Sequence, residues 1–264
     1  MNTEKIKKVQ ENLERAAWKW WFSLIFVFIQ LIPTYTAKGF DPREMGEVIG
    51  TILQNAIISS AEIVYPLFKL IPIVLLGLII ARVRGVGRWF NLYAGVSFVL
   101  FAILQHVAFT EEYGFSIVFS NLIMLLVVAA SWFWDLFAQE NTFKPVKQPL
   151  GKYWVIPVAF LAFWYPINEV TFMPDFNLTY LLTNSAGLAF CLMTPVFLAV
   201  LLLYYPQVNL VTLRVTGLAG IIIASFNILM NFVMYPDTLW WNGVLHLPLL
   251  MISGTALGQK RIPR

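Results

Sequence analysis

VNLVTLRVTGLAGIIIASFNILMNFVM, residues 208–234, holds a single charged residue, Arg214. A run of this length exceeds the roughly 20 apolar residues that a helix needs to cross a hydrocarbon core about 30 Å thick. Gly217, Gly220, Ala224, Asn227 and Asn231 recur along it at spacings of three and four, which is one helix face. Its glycine half permits close helix approach. Its other half ends in two carboxamides that need partners in lipid, either as interhelical packing or as the lining of a site.

The rest of the chain repeats this theme. Of 264 residues, 59% are hydrophobic and 12% charged, with 22 Phe, 10 Trp and a mean hydropathy of +0.73. A soluble domain carries about 25% charged residues, so the main solvent of this chain is lipid. The expected fold class is all-α: a polytopic transmembrane helical bundle forming one integral membrane domain over residues 1–264. Eight spans are predicted, at about 18–36, 63–82, 89–108, 115–137, 153–169, 178–204, 208–234 and 240–257. Residues 1–17 form an amphipathic helix on the cytoplasmic surface, with Ile6, Val9, Leu13 and Ala17 on one stripe and Glu4–Lys8 and Glu11–Arg15 as i,i+4 pairs. It leads into the interfacial Trp18, Trp20 and Trp21. Residues 258–264 are a cytoplasmic tail. The polar start, and the lack of an A-x-A-like site after the first apolar run, predict no cleavable signal.

Charge sets the orientation. Lys5, Lys7, Lys8, Arg15 and Lys19 precede the first span. Arg82, Arg84 and Arg88, then Lys144, Lys147 and Lys152, then Arg214, then Lys260, Arg261 and Arg264 occupy alternate connections. Glu111 and Glu112, Glu169 and Asp175, and Asp237 occupy the others. The positive-inside rule places both termini in the cytoplasm, in the plasma (inner) membrane, and only an even number of spans allows that. The first external connection is mixed, with Lys38 and Arg43 beside Asp41, Glu44 and Glu47. Residues 45–62 read either as an external interfacial helix or as an outer extension of the second span; a ninth span there would invert every later connection.

The net charge of +4 belongs to this topology, and no basic, aromatic-interleaved module suggests nucleic acid. The single cysteine, Cys191, excludes an internal disulfide, CxxC redox chemistry and cysteine-ligated zinc. No GxxxxGK[ST] loop, HExxH, GxSxG elbow, TVGYG filter or row of gating arginines occurs. The sequon Asn177-Leu178-Thr179 lies against the sixth span. Pro66, Pro72, Pro157, Pro166, Pro195 and Pro248 fall in spans, where each removes a backbone donor and can kink its helix, though ordinary bundle packing is the favoured reading.

Polar residues inside the spans concentrate in the external half. Glu62 and Lys69 share a face of the second span about 10 Å apart, a gap that a kink at Pro66 or partners on other helices would have to close. An intramembrane lysine costs about 2.5–3.5 kcal/mol on insertion scales, so Lys69 should face the interior. His106 and His246, on different spans, are candidates for structural or pore-lining roles, and a weaker one for haem or metal ligation. Asp135, near the inner end of the fourth span, is expected to be an interfacial residue near Lys144 or another cytoplasmic cation. The predicted ligand-binding set is Glu62, Lys69, Gln105, His106, Asn121, Asn168, Glu169, Asn227, Asn231 and His246, lining one outward-facing cavity.

Three function classes follow: binding or transport of a solute or lipid; a membrane enzyme acting on a lipid or isoprenoid, with a histidine as base and Lys69 as anion partner; or a haem-binding or accessory subunit. The bilayer and a small solute or lipid are the expected partners; the residues identify no cofactor.

Overall fold

A computed structural model describes residues 3–261, with the backbone alone for Ser59 and Ser60. Residues 262–264 of the expected tail, and the side chain of Ser59, lie outside the described residues. Eleven α-helices are described: α1 (Thr3–Ala17), α2 (Trp20–Ile29), α3 (Met45–Gln54), α4 (Tyr65–Ile80), α5 (Val86–Leu104), α6 (Phe119–Ala138), α7 (Val155–Trp164), α8 (Tyr180–Thr183), α9 (Phe190–Tyr204), α10 (Leu210–Ile228) and α11 (Pro236–Leu257).

Among the described residues, four helical stretches are long and apolar enough to cross a membrane: Glu62–Ile80, Val86–Leu104, Phe119–Ala138 and Leu210–Met234. A fifth is added if Tyr180–Leu188 and Phe190–Tyr204, bent by 95°, count as one. These helices mark an integral membrane protein. Each of the eight expected spans contains helix, but several are shorter than their apolar runs. The first stops at Ile29, and Tyr35 and Thr36 are already strand. The fifth is helical only over Val155–Trp164. Pro166 disfavours helical backbone at the residue before it, and Tyr165 turns away at φ 52°. The sixth breaks where Ala189 is extended, and there Gly187 passes so close to the Phe68–Lys69 backbone that a Cβ would sit 2.8 Å from the Phe68 carbonyl carbon. Pro66 produces no kink, since it occupies the first turn of α4, where its missing N–H has no intrahelical partner to lose.

The chain also builds a small sheet that the all-α expectation omits. β1 (Tyr35–Thr36), β2 (Val107–Thr110) and β3 (Gly114–Ile117) pair antiparallel in the order β1-β3-β2. Gly114, at φ 66°, closes the β2–β3 turn. The hairpin consumes the ends of two expected spans, 89–108 and 115–137. α3 packs on it, with Val48 and Ile52 against Ala108, Tyr113 and Val118. Residues 45–62 are therefore a separate helix followed by two 3₁₀ turns, Ile57–Ser60 and Glu62–Val64, rather than one straight extension of α4.

Between the two ends of the bundle lies an aromatic stack. Phe90, Phe98, Phe101, Trp132, Phe190 and Phe197 are all essentially inaccessible. Phe98 touches Phe101, Trp132, Phe190 and Phe197 with ring centroids 5.5–6.3 Å apart. Trp132 satisfies its indole N–H on Thr216 Oγ1 at 3.1 Å. Beside it, the glycine half of the 208–234 face meets α11: Gly217 faces Ala256 and Leu257, and Gly220 faces Ser253 and Leu249.

At the α6 C-terminus, Asp135 is corrected from an interfacial residue to the centre of a buried network. It is 0% exposed and accepts from Asn91 Nδ2 (2.6 Å), Asn209 Nδ2 (2.7 Å) and the backbone N–H groups of Glu140 (3.0 Å) and Asn141 (3.1 Å). Asn209 also caps α10 through Val211 N and Thr212 N. Gln10 of α1 joins by donating to Asn209 Oδ1 at 3.1 Å and accepting from Trp134 Nε1 at 2.7 Å. α1 thus docks through Gln10, Glu14 and Ala17, while Val9 and Leu13 stay exposed. Arg15 pairs with Asn12 Oδ1 and the Glu11 carbonyl rather than with the Glu11 carboxylate.

Candidate functional site

A cavity of about 510 Å³ opens at the hairpin end of the bundle. It is walled by α3, the α5 terminus, α6, α9, α10, α11 and the segment after α7. Five predicted residues line it: Gln105, His106, Asn121, Asn227 and His246. Gln30, Ser120, Tyr165, Ser185, Cys191 and Asn242 also line it and were not in the predicted set.

Local structure fixes the orientation of these groups. His106 follows the end of α5, and its Nδ1 lies 3.1 Å from the Phe101 carbonyl oxygen. His246, inside α11, has Nδ1 2.7 Å from the Asn242 carbonyl oxygen. A carbonyl only accepts, so each Nδ1 carries the proton and each Nε2 presents a lone pair. Neither Nε2 has a hydrogen-bond partner among the described residues. Gln105 acts differently: its Oε1 accepts from Phe190 N at 2.9 Å, which satisfies an otherwise unpaired donor where α9 begins after the bend.

Along this wall runs a relay of hydrogen bonds. Tyr165 Oη donates to Asn242 Oδ1 (2.9 Å), Asn242 Nδ2 to Asn231 Oδ1 (2.8 Å), and Asn231 Nδ2 to the Asn227 carbonyl (2.7 Å). Asn227 Nδ2 donates to the Ile223 carbonyl (3.0 Å) and approaches Cys191 Sγ at 3.5 Å. Asn231 itself is 2% exposed and stands behind the lining. It sits in a π-helical turn, Leu229–Met234, where an extra residue per turn re-aims the side chains; such turns are frequent at functional sites.

Four other predicted residues lie off the cavity. Glu62 is exposed at the start of the 3₁₀ turn before α4. Lys69 is 0% exposed, donates to the Phe163 carbonyl oxygen and sits over the Phe163 ring. Asn168 folds its Oδ1 onto the N–H groups of Val170 and Thr171, a local turn. Glu169 is exposed and accepts from Ser185 Oγ at 2.7 Å, which brings it near the mouth without lining it. Glu62 and Lys69 are therefore not joined by a hydrogen bond or ion pair.

No group of three or more His, Cys, Asp or Glu side chains placed to hold a metal ion occurs among the described residues. Comparison with protein-family models, curated proteins and solved structures finds no match to this chain.

Proposed function

We propose that this protein is an integral membrane binding protein, and by extension a carrier, for a small solute or lipid held in the 510 Å³ cavity. The observation that carries this is the convergence of polar side chains from separate helices on one space, with two histidine Nε2 lone pairs that have no hydrogen-bond partner among the described residues. Buried polar groups are normally satisfied internally, and a concave, mostly apolar pocket with a few convergent polar groups is the usual form of a ligand site.

The eight crossings, with both termini cytoplasmic, belong to the same proposal. Alternating Lys/Arg-rich and acidic connections support them. The cavity then faces the non-cytoplasmic side of the plasma membrane.

Cys191 supplies the test, because it lines the cavity and is the only cysteine. In membrane vesicles, N-ethylmaleimide should alkylate it in the folded protein, and Asn121→Trp, which fills the space, should slow the reaction about tenfold. A rate that Asn121→Trp leaves unchanged, read at a pH high enough for the folded protein to label, would remove the site. For topology, Glu112→Cys in a Cys191→Ala background should react with an impermeant reagent added outside right-side-out vesicles; protection there would invert the orientation.

A second reading, a haem protein, is favoured by one observation: both histidines border the same cavity. A Soret band lost on His106→Ala or His246→Ala would establish it in place of the binding reading.

A further inference from the structure

Given the cavity as a binding site, we infer that its ligand is an uncharged, hydroxyl-bearing lipid that reaches it sideways from the bilayer. Three features of the lining lead there.

The first is charge. Among the described residues lining the cavity there is no Asp, Glu, Lys or Arg. An anionic headgroup placed there would lose its hydration and find the Glu169 carboxylate, held on Ser185 Oγ, near the mouth rather than a cation, and an unpaired charge in such surroundings costs far more than an unpaired dipole. Phosphate and carboxylate ligands are disfavoured together, and an ammonium would have no carboxylate in the lining itself to pair with.

The second is hydrogen-bond polarity. His106 and His246 are held by Phe101 and Asn242 as Nδ1–H tautomers, so both offer acceptors. The Asn121 carboxamide makes no hydrogen bond among the described residues. A group that donates to an imidazole lone pair, accepts from a carboxamide and carries no charge is a hydroxyl.

The third is the rim. Leu53 on α3 and Phe226 on α10 line the cavity yet are 41% and 52% exposed. Both are apolar and accessible from outside the protein, which suits an apolar tail at the rim while the headgroup is inside.

The experiment uses the full chain in lipid nanodiscs and reads the rate of Cys191 alkylation by N-ethylmaleimide with three probes at equal membrane mole fraction: 1-dodecanol, dodecyl phosphate and dodecane. Dodecanol should slow labelling about tenfold, and the other two should leave it within about twofold. In His106→Leu with His246→Leu, checked for an unchanged unfolding profile, the ratio between dodecanol and dodecane should fall to about one. Equal protection by dodecyl phosphate would overturn the neutral-headgroup inference. Equal protection by dodecane would overturn hydroxyl recognition. Labelling that no probe slows would sink the lipid alcohol but leave the cavity standing as a site for something else. A Cys191 rate that Asn121→Trp leaves unchanged, at a pH where the folded chain labels, takes the cavity and its ligand down together. If the histidine variant does not fold, the three-probe comparison on the unaltered chain decides.

Discussion

Lys69 donates through Nζ to the carbonyl oxygen of Phe163 and holds its ammonium 4.4 Å from the centroid of the ring on that same residue. The last carbonyls of a helix have no intrahelical partner. Around the end of α7 they are met by side chains: Phe163 by Lys69, Trp164 and Tyr165 by Asn184 Nδ2 (2.9 and 3.0 Å), and Pro166 by Trp241 Nε1 (2.8 Å). A cation is also favoured at the negative end of the helix dipole. Lys69 thus terminates a helix inside the membrane domain.

Its replacement by methionine should therefore act on stability. Lys69→Met keeps the bulk and strands the Phe163 carbonyl, a loss of about 1–3 kcal/mol. Reversible unfolding in mixed micelles measures this, and Cys191 labelling should keep its wild-type rate. Unchanged stability with altered labelling would return Lys69 to the site.

Asp135→Asn is expected to be among the most damaging single-atom changes. Hydrogen bonds to a charged group contribute on the order of 1.5–3 kcal/mol each, and Asp135 accepts at least four. The carboxamide keeps one acceptor and points N–H groups at existing donors. A large fall in unfolding midpoint is the expected outcome; a shift below about 0.5 kcal/mol, the size of an ordinary surface change, would contradict the network.

Gly220→Val should separate α10 from α11. A Cβ at Gly220 would come 3.1 Å from Ser253 Cβ and closer still to its hydroxyl oxygen. Overpacking of this kind costs about 1–3 kcal/mol. Gly220→Ala combined with Ser253→Gly should recover most of the stability that Gly220→Ala loses alone, and a simple sum of the two single effects would show that the contact is not shared.

Gln10→Ala removes the side chain through which α1 joins the bundle, costing Trp134 its indole partner and Asn209 one of its donors. The expected result is a loosened α1, seen as faster proteolysis near residues 11–15 and a changed Trp134 emission, with helices α4–α11 unaffected. Unaltered proteolysis would mean that the contacts of Glu14 and Ala17 suffice.

The helices were legible in the sequence because lipid demands long apolar runs, and 208–234 shows the limit of that legibility in both directions. Its small face correctly placed Gly217 and Gly220 against another helix. Its asparagines were equally readable as packing or lining, and the structure uses one each way: Asn227 lines the cavity and Asn231 braces it from behind. The hairpin was hidden because Val107–Thr110 and Gly114–Ile117 are as apolar as the spans they adjoin. The alternation of Phe109, Phe115 and Ile117 around a Glu-Glu-Tyr-Gly turn was the available signal. Helix length was misread wherever a break came from a tertiary contact, as at Gly187, which no local pattern announces. Asp135 was misplaced because Asn91, Asn141 and Asn209 lie far from it in sequence, although Asn209 ahead of an apolar run already had the look of a helix cap.

The cavity lining has one further consequence. Phe190 lines the cavity and also joins the ring cluster beside it, where its ring and those of Trp132 and Phe197 lie 5.6–6.3 Å from the ring of Phe98. While these rings stay in contact they bar the way through the bundle from that side of the chamber. Vectorial movement by that route would require half a dozen tightly nested aromatics to part in concert, whereas capture, presentation to a neighbour or chemistry in place would require them only to stay shut.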